Sequence, residues 1–169
     1  MLTIVLRFAH VFFGTIWVGM MAFQVFFLGP ALTEAGPDAG KVMSALMKRR
    51  IPLIMPIIAI IAIISGSWLL VRTSGGNMAA YMATTMGKTY AWGGLLAIVA
   101  FLFGIIAMRP AMLRSMKLMQ DMPTLAPDQR AAAQAELQRL RARGNTLGKV
   151  VALMMLTTLG MMAVARYLP

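Results

Sequence analysis

The stretch of sequence that decides the fold is residues 1–28, MLTIVLRFAHVFFGTIWVGMMAFQVFFL. About 20 apolar residues, each rising 1.5 Å along a helix, cover the ~30 Å hydrocarbon core of a bilayer, so this stretch can span a membrane. Three further apolar runs follow, and we expect spans at approximately residues 2–28, 51–71, 90–108 and 147–168. A mean hydropathy of +0.77 agrees with this interpretation. The sequence therefore predicts an all-α fold, a polytopic membrane protein whose single integral membrane domain is a four-transmembrane-helix bundle.

The positive charge of the chain predicts how the spans are oriented. Sixteen Lys and Arg residues against five Asp and Glu residues give a net charge of +11, and twelve of the sixteen lie in or beside segments 29–50 and 109–146. The other four lie at the opposite ends of the spans: Arg7, Arg72, Lys88 and Arg166. The positive-inside rule then predicts two basic cytoplasmic loops, 29–50 and 109–146, and periplasmic N- and C-termini in a bacterial inner membrane. Membrane lipids, and no nucleic acid, are the partners that this charge pattern indicates.

The polar residues of the first span form one stripe. They recur at steps of three and four, the spacing of one helix face: Arg7, His10, Gly14, Trp17, Met21 and Gln24. An ionisable side chain is costly inside a bilayer, so we expect Arg7 and His10 to face the bundle interior or a polar cavity. His10 is the only histidine and lies about 10 Å below the start of the helix. At that depth its expected neighbours are residues 65–68, 90–94 and 161–162.

This stripe is suited to binding haem b, and the function of a haem protein of this kind would be electron transfer. Imidazole nitrogen binds haem iron readily, so His10 could be an axial ligand. Gly14, one turn deeper, would leave room for the porphyrin plane, and Trp17 could pack on its edge. Arg7, nearer the outer surface, could pair with a propionate through charge-assisted hydrogen bonds.

A single histidine leaves several ligation states open. The iron could be five-coordinate, could take Met161 or Met162 as its second ligand, or could be shared across a homodimer. In the alternative, purely structural interpretation, His10 only hydrogen-bonds to Ser65, Ser67 or a backbone carbonyl.

A second candidate site is a copper site in the methionine series between spans two and three. Met78, Met82 and Met86 are four residues apart, which predicts that they share one face of a short helix. Thioether ligands select Cu(I), and these methionines lie on the periplasmic side, with the candidate metal ligand His10 below them. Methionine also fills irregular apolar surfaces, so a packing role for the series stays open.

Several other function classes have no support in the sequence. The chain has no cysteines, which excludes disulfides and thiolate metal sites, and no acidic residue lies within a predicted span, which argues against a proton-relay pump. We find no phosphate-binding loop, nucleophile–base pair or paired carboxylates. The first apolar run is too long for a signal peptide and has no basic residue before it, so we expect it to be retained as a helix.

Proline and glycine predict where the helices begin and end. Gly29-Pro30 is expected to break the first helix near the membrane surface. Pro37-Asp38 looks like the start of a short interfacial helix that reaches Arg50. Within segment 109–146, Pro127 and the residue after it suit a helix N-terminus.

The first helix resembles that of two groups of membrane proteins. Residues LRFAH at 6–10 followed by WVG at 17–19 resemble the copper-resistance D-like proteins and the haem-carrying membrane protoporphyrinogen oxidases. Residues SG at 65–66 and MAVARY at 162–167 are also similar to these groups. The resemblance implies a four-span layout with His10 as the haem or metal ligand. It also implies that Lys88 is the candidate for the third-span lysine of the oxidases.

The leading functional hypothesis is therefore a membrane protein that handles haem b or copper through His10. The alternative is a non-catalytic accessory subunit of a larger respiratory or photosynthetic membrane complex. In that case the small residues of the third span would form a partner surface, since they allow another helix to approach closely.

Overall fold

The computed structural model describes residues 1–168, apart from the side chain of Pro37, and these residues are 93% helical and contain no strand. Four helical stretches are long and apolar enough to cross a membrane: Leu2–Glu34, Ile51–Thr73, Thr85–Thr124 and Pro127–Tyr167. The prediction of an all-α, four-span membrane bundle is therefore confirmed.

Eight α-helices make up these stretches and the segments between them. They are α1 (Leu2–Phe23), α2 (Gly29–Glu34), α3 (Ala39–Lys48), α4 (Ile51–Thr73), α5 (Met78–Ala83), α6 (Thr85–Phe103), α7 (Arg109–Asp121) and α8 (Pro127–Val164). Two π-helical turns lie at Gln24–Leu28 and Gly104–Met108, and 3₁₀ turns lie at Gly36–Asp38, Met122–Thr124 and Ala165–Tyr167.

The four spans close into a ring in which each helix packs against its neighbours along the chain. The most extensive contacts join α1 to α4 and α6 to α8. Smaller contacts join α4 to α6 and α8 to α1. Small residues such as Ala62, Ala100 and Ala152 are almost completely buried at these contacts, where they let two helix backbones approach closely. Large apolar side chains remain exposed around the outside of the bundle, as expected of a lipid-facing surface.

Gly29-Pro30 does not break the first helix, so that prediction is wrong. The Gly29 N–H donates to the carbonyl of Gln24, five residues back, and the backbone then continues as α2 to Glu34. A proline in a regular α-helix lacks an N–H and clashes with the carbonyl four residues earlier. The wider π turn just before Pro30 accommodates the ring without ending the helix.

The third span also has a π turn just before a proline. Its π turn begins at Gly104, the Arg109 N–H donates to the Gly104 carbonyl, and Pro110 follows. Both π turns pack on one residue of α8, because a Cβ added at Gly148 would lie 3.2 Å from Val25 Cγ2 and 3.6 Å from Met108 Cε.

Segment 109–146, which connects the third and fourth spans, is a helical hairpin. Its two arms, α7 and the first part of α8, pack side by side, and Arg141 Nη2 donates to Met119 Sδ at 3.2 Å. The predicted helix at Pro127 does begin there, but it runs without a break into the fourth span. The predicted short helix after Asp38 is also present as α3, although it ends at Lys48 instead of Arg50.

Candidate functional site

His10 lies where α1 packs on α4. Its Nδ1 is 2.8 Å from the carbonyl oxygen of Ala62. A carbonyl oxygen can only accept a hydrogen bond, so Nδ1 is the donor and, in the neutral ring, Nε2 is the nitrogen that carries the lone pair. Histidines that bind metals are held in this way, with one ring N–H on a backbone carbonyl and the other nitrogen on the metal.

Gly66 provides the surface on which the imidazole rests. A Cβ added at Gly66 would lie 2.5 Å from Cε1 and 2.7 Å from Nδ1 of His10, closer than real side chains approach. The ring can therefore occupy its position only because residue 66 has no side chain.

The neighbouring serines do not bind the histidine. Ser65 Oγ donates to the carbonyls of Ile61 at 2.6 Å and Ala62 at 3.1 Å, both within its own helix. The purely structural interpretation named Ser65, Ser67 or a backbone carbonyl as the hydrogen-bond partner of His10. The structure shows the backbone carbonyl, that of Ala62. The Ala62 carbonyl thus accepts from both Ser65 and His10 and fixes the imidazole on α4.

Contacts between the spans define the height of His10 in the bundle. Trp17 packs edge-on against Phe101, with ring centroids 6.2 Å apart. His10 is seven residues above Trp17 and Gly94 is seven residues above Phe101, so at an equal rise per residue they lie at one level. At the neighbouring residue, a Cβ added at Gly93 would lie 3.2 Å from Met162 Cε. The expected layer around His10 is therefore present.

Trp17 and Gly14 differ in their surroundings. Trp17 is 7% exposed and belongs to the hydrophobic core, where it packs on α6. Gly14 is half-buried, and nothing lies within 4 Å of a Cβ added there. Open space is consequently present one turn below His10, as the haem interpretation requires.

Arg7 does not face the bundle interior, contrary to the expectation. It is exposed and lines a groove on the outward surface of α1. Three residues of helix turn the chain by about 300°, so Arg7 lies about 60° away from His10, at the edge of the stripe. Near the outer end of the span its long side chain can reach the polar interface, which removes the need for an interior position.

The methionine series does not lie on one helix, so that prediction is wrong. Met78 and Met82 belong to α5, the backbone is extended at Thr84 (φ −77°, ψ 150°), and Met86 lies in α6. Thr84 ends the shared face because its Oγ1 accepts from the Gly87 N–H at 3.0 Å and starts a new helix. Lys88 is exposed in the first turn of α6.

Two buried hydroxyls were not predicted from the sequence. Within residues 1–168, Thr158 Oγ1 and Tyr81 Oη are buried and have no hydrogen-bond partner. Thr158 lies on α8 one turn below Met162, and its only signal in the sequence is a polar residue inside an apolar run. Tyr81 lies on α5 outside the spans, and burial, with a smaller effect of Tyr90, raises the pKa of its hydroxyl.

His10 is therefore the centre of the candidate site. In the described part of the chain, no three side chains of the His, Asp, Glu or Cys type come together. Comparisons of the chain with protein-family models, with curated proteins and with solved structures found no match. The resemblance of the first helix to the copper-resistance D-like proteins and the protoporphyrinogen oxidases stays a prediction.

Proposed function

We propose that this protein binds haem b through Nε2 of His10 and acts in electron transfer within the membrane. The observation that carries the proposal is the 2.8 Å hydrogen bond from His10 Nδ1 to the Ala62 carbonyl. This bond selects the tautomer in which Nε2 is the ligand atom, and it makes the ring a better electron donor to a metal. A bound haem b would supply one-electron redox chemistry.

The residues around His10 fit a haem group on three points. Gly66 holds the imidazole on α4, the open space at Gly14 leaves room one turn below the ring, and Thr158, one turn below Met162 on α8, has a buried hydroxyl without a partner within residues 1–168. Trp17 belongs to the hydrophobic core of the bundle, where its ring packs edge-on against Phe101 and joins α1 to α6.

The remaining ligand position has two candidate sources. Met161 and Met162 pack against Gly93 at the height of His10, so either thioether is close to the correct level. A homodimer that shares one haem is the other source, since each copy contributes one histidine. Arg7 is not included in the site, because it faces the outward groove.

The charge distribution supports an orientation for this site. All five acidic residues and twelve of the sixteen basic residues lie in or beside segments 29–50 and 109–146. We therefore place those segments in the cytoplasm and both termini in the periplasm of a bacterial inner membrane. His10 would then exchange electrons with a partner on the periplasmic side.

Copper is the less favoured ligand for this chain. Cu(I) would prefer clustered thioethers, but the break at Thr84 puts Met86 on a different helix from Met78 and Met82. An accessory role in a larger membrane complex has one observation in its favour. Phe23 and Phe27 stack with ring centroids 6.2 Å apart on the exposed surface of the first span, where a partner helix could dock.

Haem titration of the purified protein tests the proposal. Wild type is expected to bind haem with a Soret band, His10→Ala to lose it, and added imidazole to restore it in that variant. Gly14→Leu should weaken binding by filling the open space, whereas Gly19→Leu, which also points into open space but lies on the exposed face of α1 opposite His10, serves as the control. A wild type that binds no haem, or a His10→Ala variant with an unchanged spectrum, would contradict the proposal.

A further inference from the structure

The outward surface of α1 carries a groove that the proposed haem site does not use. The groove has a volume of about 700 Å³, and all the residues that line it belong to α1. Its lining includes Thr3, Arg7, Phe8, Val11, Phe12 and Ile16. From Thr3 to Ile16 it runs roughly 20 Å along the helix, slightly more than the ~15 Å depth of one bilayer leaflet.

The two ends of the groove differ in chemistry. Thr3 and Arg7 provide polar groups at the end near the membrane surface. Deeper in the groove, Phe8 and Phe12 stack with ring centroids 5.5 Å apart and form an apolar wall. A cationic group at the outer end of the groove and apolar residues deeper in it match a phospholipid, which has its phosphate at the membrane surface and its acyl chains below.

Arg7 has no acidic partner within residues 1–168. Among the described residues, the salt bridges are Lys41–Asp38 and Arg139–Glu136, and all five acidic residues lie between positions 34 and 136. The charged side chains at the outer ends of the four spans are thus all basic. A lipid phosphate is the anion that a bilayer offers at this depth, and a guanidinium binds phosphate through paired hydrogen bonds.

We propose that the α1 groove binds one anionic phospholipid, with its phosphate on Arg7 and Thr3 and an acyl chain along Phe8, Val11 and Phe12. A second copy of the chain is disfavoured as the occupant. A symmetric dimer through this face would place two Arg7 side chains opposite each other, and like charges repel strongly where the dielectric constant is low.

Native mass spectrometry of the delipidated full chain in detergent tests this site. The probes are dioleoyl-phosphatidylglycerol, which is anionic, and dioleoyl-phosphatidylcholine, which has the same chains but no net charge. We expect wild type to retain phosphatidylglycerol preferentially. Arg7→Gln should lose this retention by about fivefold or more, the effect of removing one cationic contact with an anionic lipid.

Two further variants separate this site from general charge effects. Arg72→Gln removes an exposed arginine at the outer end of α4 and is expected to retain the lipid as wild type does. Val11→Trp fills the groove on an exposed face and should release both lipids while the helical content stays unchanged. Equal retention of the two lipids by wild type, unchanged retention in Arg7→Gln, or an equal loss in Arg72→Gln would overturn the proposal. A dimer that Val11→Trp dissociates would also overturn it, in favour of a second copy.

Discussion

The contact between Gly66 and His10 gives the sharpest prediction. In Gly66→Ala the new Cβ would lie 2.5 Å from Cε1 of His10, so the imidazole must move and lose its bond to the Ala62 carbonyl. Overpacking of this kind costs about 1–3 kcal/mol, and an interhelical hydrogen bond in a membrane adds about 0.6 kcal/mol. Alanine in place of glycine in a helix stabilises the folded protein by about 1 kcal/mol, which offsets part of this cost. We therefore expect a net destabilisation of about 1–2 kcal/mol.

The sign of the effect should reverse when the histidine is absent. In a His10→Ala background the clash disappears, so Gly66→Ala should stabilise the protein by up to about 1 kcal/mol through helix propensity alone. The double-mutant cycle would then give a coupling of about 2–3 kcal/mol between the two positions.

Unfolding in mixed micelles, followed by helicity, measures all four proteins of the cycle. Gly94→Ala is the matched control, because nothing lies within 4 Å of the Cβ it adds, and it should behave alike in both backgrounds. If Gly66→Ala changes stability by the same amount with and without His10, the ring is not on Gly66 and the described geometry is refuted.

Three other changes have defined outcomes. Gly148→Leu should lower the unfolding free energy by about 1–3 kcal/mol in the same titration, because both π turns pack on that residue, whereas Gly144→Leu points into open space and should not. Thr84→Ala removes the hydroxyl that caps α6 and should cost about 1 kcal/mol, an effect that Thr85→Ala should not share. Burial raises the pKa of Tyr81, so the unfolded chain deprotonates first and stability should fall as pH rises above about 10. In Tyr81→Phe thermal unfolding should lose this part of the pH dependence, and an unchanged slope would contradict the assignment.

Length and hydropathy were sufficient to predict the four spans. A run of about 20 apolar residues satisfies its backbone hydrogen bonds in a bilayer only as a helix, so few alternatives exist. The periodic stripe on the first span also placed His10 on the contact face, because the cost of burying a polar side chain in lipid turns it inward. These features follow from physical constraints that act on each span separately.

The details of the site depend on contacts that no local pattern encodes. The acceptor for His10 is the backbone carbonyl of Ala62, a group that every residue has. Gly66 was expected near His10 only as one of residues 65–68, since a glycine in an apolar span does not reveal which side chain will occupy the space above it. Arg7 shares the stripe of His10 but turns outward, because near the membrane surface its long side chain can reach water.

Two helix boundaries were misplaced, each for a different reason. Gly29-Pro30 was expected to break the first helix, yet a π turn widens the helix just before the proline and lets it continue. In the methionine series, Thr84 was missed as an N-cap because the fourfold spacing suggested one continuous helix.

The most direct test of the account uses the fact that His10 is the only histidine in the chain. Protein grown with ¹⁵N-labelled histidine gives one imidazole in the NMR spectrum, and its two nitrogen shifts report which one carries the proton. In the neutral ring we expect a protonated Nδ1 and an unprotonated Nε2, with the Nε2 signal moved or broadened when haem is added. A protonated Nε2, or a spectrum that haem leaves unchanged, would contradict the central claim that Ala62 holds this ring ready to bind a metal.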